Sequence, residues 1–207
     1  MQFLGLLKEK IKGIIKIREQ LEDDFIVWRD NYEPQEIDYQ GKPWGNLSGF
    51  DAITATKKLL NADITITSVS KGEIRYKIIR CNVTAIMSKS KSWIDPASKK
   101  YRPTSEILLH EKGHFMIEEA FARKLRKKLD EKIKNDVFVC KRINSEKPKI
   151  TVSREAQNIL NEVKEKCKKS TEACNKEYDN YAFDKSRKTN HSGQKEYYEK
   201  IKKMLQD

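Results

Sequence analysis

Ile107-Leu108-Leu109-His110-Glu111-Lys112-Gly113-His114-Phe115-Met116 is the stretch on which the fold and the chemistry of this chain turn. Thr104 or Ser105 can cap a helix here, Glu106 suits its first turn, and the pattern predicts a helix running to about Lys134. On that helix His110 and His114 stand at i and i+4, one above the other on the same face. Both imidazoles can therefore address one Zn2+, at about 2.0–2.1 Å from each ligating nitrogen. Glu111, one step round the helix, reaches water beside such a metal rather than the metal itself. With only 3 histidines in 207 residues, chance produces H-E-x-x-H in on the order of a few per thousand chains of this length. The bland alternative is a pair of surface histidines on an ordinary helix. Against it, the apolar flanks bury this segment, and buried imidazoles need partners.

A catalytic zinc takes three protein ligands and keeps one position open. The third ligand expected here is His191, in Thr189-Asn190-His191-Ser192-Gly193, because the whole histidine complement then serves one constellation. Carboxylates are the alternatives: Glu118 or Glu119 on the same helix, or Asp184. The extended motif H-E-x-x-H-x-x-G-x-x-H is excluded, because Ile117 and Ala120 stand where it needs glycine and histidine. No glycine-bearing cysteine-ligand motif surrounds Cys81.

Working outward, Ala62 to Thr67 alternates with period two and Lys71-Gly72 supplies a turn. A second β-rich run follows from Glu73 to Met87, which predicts an antiparallel hairpin. The alternation slips at Ile78-Ile79, as at a bulge or in a strand buried on both faces. Tyr32 to Phe50 is rich in Pro, Gly, Asn and Asp and reads as a looped entry. Beyond the central helix, Asp136 to Lys149 is a strand-compatible connector. Ser153 and Glu155 open a long helix toward Phe183, and Thr189 to Gly193 is a loop before a short final helix through Met204. At the other end, Phe3, Leu4, Leu7, Ile11, Ile14, Ile15 and Leu21 recur at helical spacing and predict an amphipathic helix over residues 2–22. The organisation expected is an N-terminal helix within 1–26 and one α+β domain over 27–207, its small, mostly antiparallel sheet packed on the H-E-x-x-H helix.

Composition narrows the classes. No stretch approaches the roughly 20 apolar residues of a membrane-spanning helix. The formal net charge of +12 admits an anionic partner, but acids are interleaved with bases throughout, which fits a solvated lysine-rich surface better than a phosphate-binding face. Nucleic acid is therefore disfavoured, and peripheral membrane contact is left to the N-terminal helix. Cys81, Cys140, Cys167 and Cys174 show no C-x-x-C spacing, so buried thiols or scattered disulfides remain. Cys167 and Cys174 stand about 10.5 Å apart along a helix and cannot bridge each other. The apolar N-terminus is broken by Lys8, Lys10 and Lys12, so it lacks a secretory core and the chain as written reads as cytoplasmic.

Several blocks in order resemble a bacterial family of domains of uncharacterised role described as secreted zinc-dependent proteases and grouped with zincin-type peptidases. They are residues 37–43, 52–56, 90–94 and 108–115, then Ala122-Arg123, Phe183-Asp184, and 189–192 with Gln194. The resemblance covers about residues 28–205 and departs from the family pattern at Ser192, where the family has glycine. It implies a zincin-like fold, zinc ligation by His110 and His114 with His191 as third ligand, Glu111 as catalytic carboxylate, and a secreted or periplasmic setting. The function expected is thus a zinc-dependent metallopeptidase acting on a peptide or protein substrate. Tyr181, Arg187, Tyr197 and Tyr198 are candidate oxyanion donors. The competing expectations are a non-enzymatic basic interaction protein with a structural or vestigial zinc, and a zinc hydrolase of non-peptide amides.

Overall fold

The computed structural model describes residues 13–19, 24–30, 39, 52–70, 72–95, 104–133, 136–143, 145–182 and 191–206. The long helix expected around the motif is α1, Thr104–Ile133. Glu106 in its first turn and Lys132 in its last both oppose the helix dipole favourably. The remaining elements are β1 (Ile14–Arg18), β2 (Phe25–Val27), β3 (Ala52–Ile53), β4 (Thr56–Val69), β5 (Glu73–Ser88), β6 (Trp93–Ile94), β7 (Phe138–Lys141), α2 (Pro148–Ala182) and α3 (His191–Gln206). The main sheet is antiparallel with strand order β1-β4-β5-β2, β7 also pairing with β5, and β3 and β6 form a separate pair. The class is α+β. No helix among the described residues is long and apolar enough to cross a membrane.

The hairpin anticipated from the alternation is β4 and β5, longer at both ends than the sequence pattern. Its turn is closed by Ser70, whose amide donates to the Glu73 carbonyl at 2.9 Å. In β5 the buried positions are Ile74, Tyr76 and Ile78, then Cys81, Val83 and Ala85, with Ile79 and Arg80 both exposed between them. Burial thus changes phase by one residue just after Ile78, the displacement a bulge produces.

The chain divides into two compact units, one made of residues 1–19, 60–82 and 125–166, the other of 20–59, 83–124 and 167–207. In the first, β1 pairs with β4 from Ile14↔Thr65 to Arg18↔Asn61. This corrects the expected N-terminal helix at residues 14–18, while residues 1–12 lie outside those described. Gly13 takes a φ of +137°, open to glycine and incompatible with a continuing helix. Ile15 and Ile17 are buried and Ile14 is exposed, a period of two. β7 pairs with β5, stacking Phe138 on Tyr76 with ring centroids 5.5 Å apart. Burial pushes the Tyr76 phenol and the Cys81 thiol each up to about 12. All four cysteines are free thiols, which resolves the choice between thiols and disulfides.

In the second unit β2 pairs with the far end of β5, from Phe25↔Ser88 to Val27↔Ile86. Its core includes Trp28, Met87, Phe115, Ile117, Tyr178 and Ile201, with Trp28 edge-on to Phe115 at 5.0 Å. This cluster fixes the rotation of α1 and hence which of its faces remains for chemistry. Along the chain, two helix starts differ from expectation. α2 begins at Pro148, ahead of Ser153, because proline is preorganised for the first helical position. α3 begins at His191, so Ser192 and Gly193, expected in a loop, occupy a first turn whose amides need no intrahelical partner.

Candidate metal centre

The regular turn of α1 brings the His110 and His114 rings edge to face at 4.7 Å, with their Nε2 atoms 3.1 Å apart. α2 supplies a third group to the same point. Asp179 Oδ1 lies 3.1 Å from His114 Nε2 and 3.3 Å from His110 Nε2. Donor atoms about 2.0–2.1 Å from a tetrahedral ion stand about 3.3–3.4 Å from one another, so this triangle suits a single small divalent ion to within a few tenths of an ångström. Two nitrogens and one carboxylate oxygen are also the donor chemistry that zinc accepts. The histidine side chains are 10% and 17% exposed and the Asp179 side chain 49%, so the cluster is buried behind and open to solvent at Asp179.

A short pattern on α2 faces the motif on α1. Asn175, Tyr178 and Asp179 stand at i, i+3 and i+4, as do His110, Gly113 and His114. His114 Nδ1–H donates to Asn175 Oδ1 at 2.9 Å, which selects the tautomer whose Nε2 lone pair points into the triangle. The Tyr178 ring lies nearly parallel to His110, 14° apart with centroids 4.8 Å away. Gly113 makes that stacking possible: a Cβ there would come within 2.5–2.6 Å of the Tyr178 ring carbons Cζ and Cε1. The unspecified position of H-E-x-x-H is thus spatially constrained in this chain.

Burial opposes a charge on His114, but the hydrogen bond to Asp179 and the charges of Glu111 and Asp179 outweigh it and raise His114 to about 9. Burial likewise opposes ionisation of Asp179, yet hydrogen bonds from His110 and His114 hold its carboxyl well below the usual range. Glu111 is buried, and its Oε2 accepts a 2.5 Å hydrogen bond from Thr54 Oγ1. Tyr178 is raised chiefly by burial, with the Gln194 side chain beside its hydroxyl acting the other way.

Of the residues singled out from sequence, His110, Glu111 and His114 sit together on α1. Glu118 and Glu119 are used elsewhere: Glu118 accepts from Lys58 Nζ at 2.8 Å, and Glu119 from the Ala85 amide and Arg123 Nε, each at 3.0 Å. His191 is the first residue of α3 and its side chain lies outside the described residues, as do Asp184 and Arg187. The Tyr197 hydroxyl donates to the Cys174 carbonyl at 3.4 Å, and Tyr181 is exposed. Asp179, Asn175, Tyr178 and Thr54 were not singled out from sequence. The one available signal was the i, i+3, i+4 match between the two helices, which a helix crowded with polar residues conceals.

No family model, curated protein or solved structure matches this chain.

Proposed function

We propose that this chain is a zincin-like, zinc-dependent metallopeptidase whose metal is held by His110, His114 and Asp179. The observation that carries the proposal is the triangle of donor atoms with edges of 3.1–3.3 Å, beside a buried carboxylate that is not part of it. Three protein ligands leave a tetrahedral zinc one open position, the arrangement of a catalytic rather than a structural site. When bound, zinc would supply Lewis acidity, polarising a carbonyl and lowering the pKa of water to about 7. Glu111 takes the proton from the attacking water and returns it to the leaving amine. Asn175 accepts from His114 Nδ1 and so turns its Nε2 toward the other two donors, and Asp179 supplies the third donor. The half-exposed side of the cluster is where a peptide carbonyl enters.

The number of ligands discriminates between this reading and a structural zinc. Metal analysis of the wild-type protein, Asp179→Ala and His191→Ala gives the test, with hydrolysis of a peptide library by the wild type and Glu111→Gln alongside. The expected result is stoichiometric zinc that Asp179→Ala loses and His191→Ala retains, and hydrolysis that Glu111→Gln abolishes with zinc still bound. Loss of zinc in both alanine variants would mean four protein ligands and a closed site, which overturns the peptidase in favour of a structural zinc.

A further inference from the structure

Glu111 is 5% exposed, and a buried carboxylate needs hydrogen-bond donors to remain an anion in one orientation. Thr54, in the two-residue link between β3 and β4, provides one through the 2.5 Å contact of its Oγ1 with Glu111 Oε2. The hydroxyl is the donor and the carboxylate oxygen the acceptor. Tyr39 Oη stands 3.1 Å from the same Oγ1. A threonine hydroxyl has one proton, and here it is directed at the carboxylate, so Tyr39 is the donor of that second bond. The groups thus form an ordered chain from Tyr39 through Thr54 to Glu111, every donor facing the carboxylate.

The link carrying Thr54 is itself fastened at Ala55, through both its amide and its carbonyl. The Ala55 amide donates to Ser92 Oγ at 2.9 Å, and the Ser88 amide donates to the Ala55 carbonyl at 2.9 Å. Ser92 is fully buried and its hydroxyl donates back to the Ser88 carbonyl at 2.5 Å. A side chain on so constrained a link is a fixed donor, the property that preorganises a reacting group.

We infer that Thr54 is a positioning residue for the general base, holding Glu111 through Oε2 so that Oε1 takes and returns the proton, with Tyr39 orienting the Thr54 hydroxyl. This rests on the hydrolase reading above. A bond that merely satisfied a buried carboxylate would influence stability and leave turnover in proportion to folded protein. A positioning bond acts on turnover with stability and metal content preserved.

The experiment compares the full-length wild type with Thr54→Val, Thr54→Ser and Tyr39→Phe. It measures zinc content, Tm, kcat and KM on a peptide found by library screening, and crystal structures of the two Thr54 variants. Valine keeps the shape of threonine and removes the donor, and serine keeps the donor. Thr54→Val is expected to lower kcat about 10²-fold, the scale of a misplacement near 1 Å, with KM, zinc and Tm held. Its Glu111 carboxylate is expected to rotate away. Thr54→Ser restores both turnover and orientation, and Tyr39→Phe shifts kcat the same way by less. Unchanged kcat with Glu111 in place in Thr54→Val overturns the inference, as does a loss in both Thr54 variants that tracks Tm. If the wild type hydrolyses nothing, the hydrolase reading fails by itself. The orientation of Glu111 in the two variants then still decides whether Thr54 holds it.

Discussion

α1 carries two buried polar clusters, and they differ in where the positive charge comes from. Toward its middle, Glu118 is paired with Lys58 at 2.8 Å, whose Nζ also donates to Thr171 at 2.9 Å, and Glu119 is paired with Arg123 at 3.0 Å. Arg123 also meets Asp30 and donates to the Leu205 carbonyl at 2.6 Å. Every carboxylate on α1 in that cluster has a cation supplied by the chain. Two turns earlier, Glu111 and Asp179 have no Lys or Arg ion pair among the described residues, and two imidazole nitrogens point at the same Asp179 oxygen. Both clusters include buried carboxylates of α1, Glu111 in one and Glu118 and Glu119 in the other, so the contrast lies in what faces those carboxylates. The first cluster pairs its carboxylates with cations of the chain, as structural pairs do, and the second, on the reading proposed above, would be the one to hold a metal ion.

The largest effect expected is on turnover. Glu111→Gln removes the general base and should lower kcat by about 10²–10⁴-fold while zinc content is retained. An equal loss from Glu118→Gln would erase the distinction between the clusters. For stability the roles reverse: Lys58→Ala leaves the Glu118 carboxylate buried and unpaired and should cost about 3–5 kcal/mol in chemical denaturation. The double replacement Lys58→Met with Glu118→Leu should recover most of that cost, since a matched apolar pair is often neutral. Zinc binding should survive in the double variant.

Asn175→Ala tests how far the His110, His114 and Asp179 cluster depends on its surroundings. It removes the acceptor that sets the His114 tautomer and should weaken zinc affinity about 10–100-fold, read by competition with a chelator. The last test is graded by pH. Because His114 is raised to about 9, its contribution to the metal-free fold is full below about pH 6.5 and is lost as pH rises through 9. Asp179, held low, contributes above about pH 4 and loses that contribution in acid. On the proposed reading zinc must displace the His114 proton, so its affinity should rise about tenfold per pH unit below about 9 and level off above that. A flat profile would mean that the cluster does not hold its own proton.

Much of this was legible beforehand, and the exceptions share a cause. The H-E-x-x-H helix and the β4–β5 hairpin follow from local periodicity, including the slip beside Ile78, because each is written in consecutive residues. The segment at Ile14–Arg18 was misread because Ile14, Ile15 and Ile17 satisfy helical and alternating patterns equally over so short a run. Gly13 and the pairing with β4 decided it. The start of α3 at His191 was hidden because Ser192 and Gly193 resemble loop residues and are tolerated in a first helical turn. Asp179 was missed for a different reason. On a helix rich in Lys, Glu, Asn and Asp, no composition or spacing marks one carboxylate out; its place opposite His110 and His114 does.

The sequence by itself determined that two imidazoles and a carboxylate share one helix, because i and i+4 geometry is a property of the backbone and needs no partner. It also determined an α+β chain lacking any spanning segment in its helices, since periodicity and apolar run length are local quantities. Tertiary structure alone decided that Asp179 and Asn175 complete the cluster, that Thr54 grips Glu111, and that Gly113 is the gap into which Tyr178 fits. These are meetings between residues far apart in the chain. Their register depends on how α1 and α2 bury their apolar faces, which no local pattern encodes.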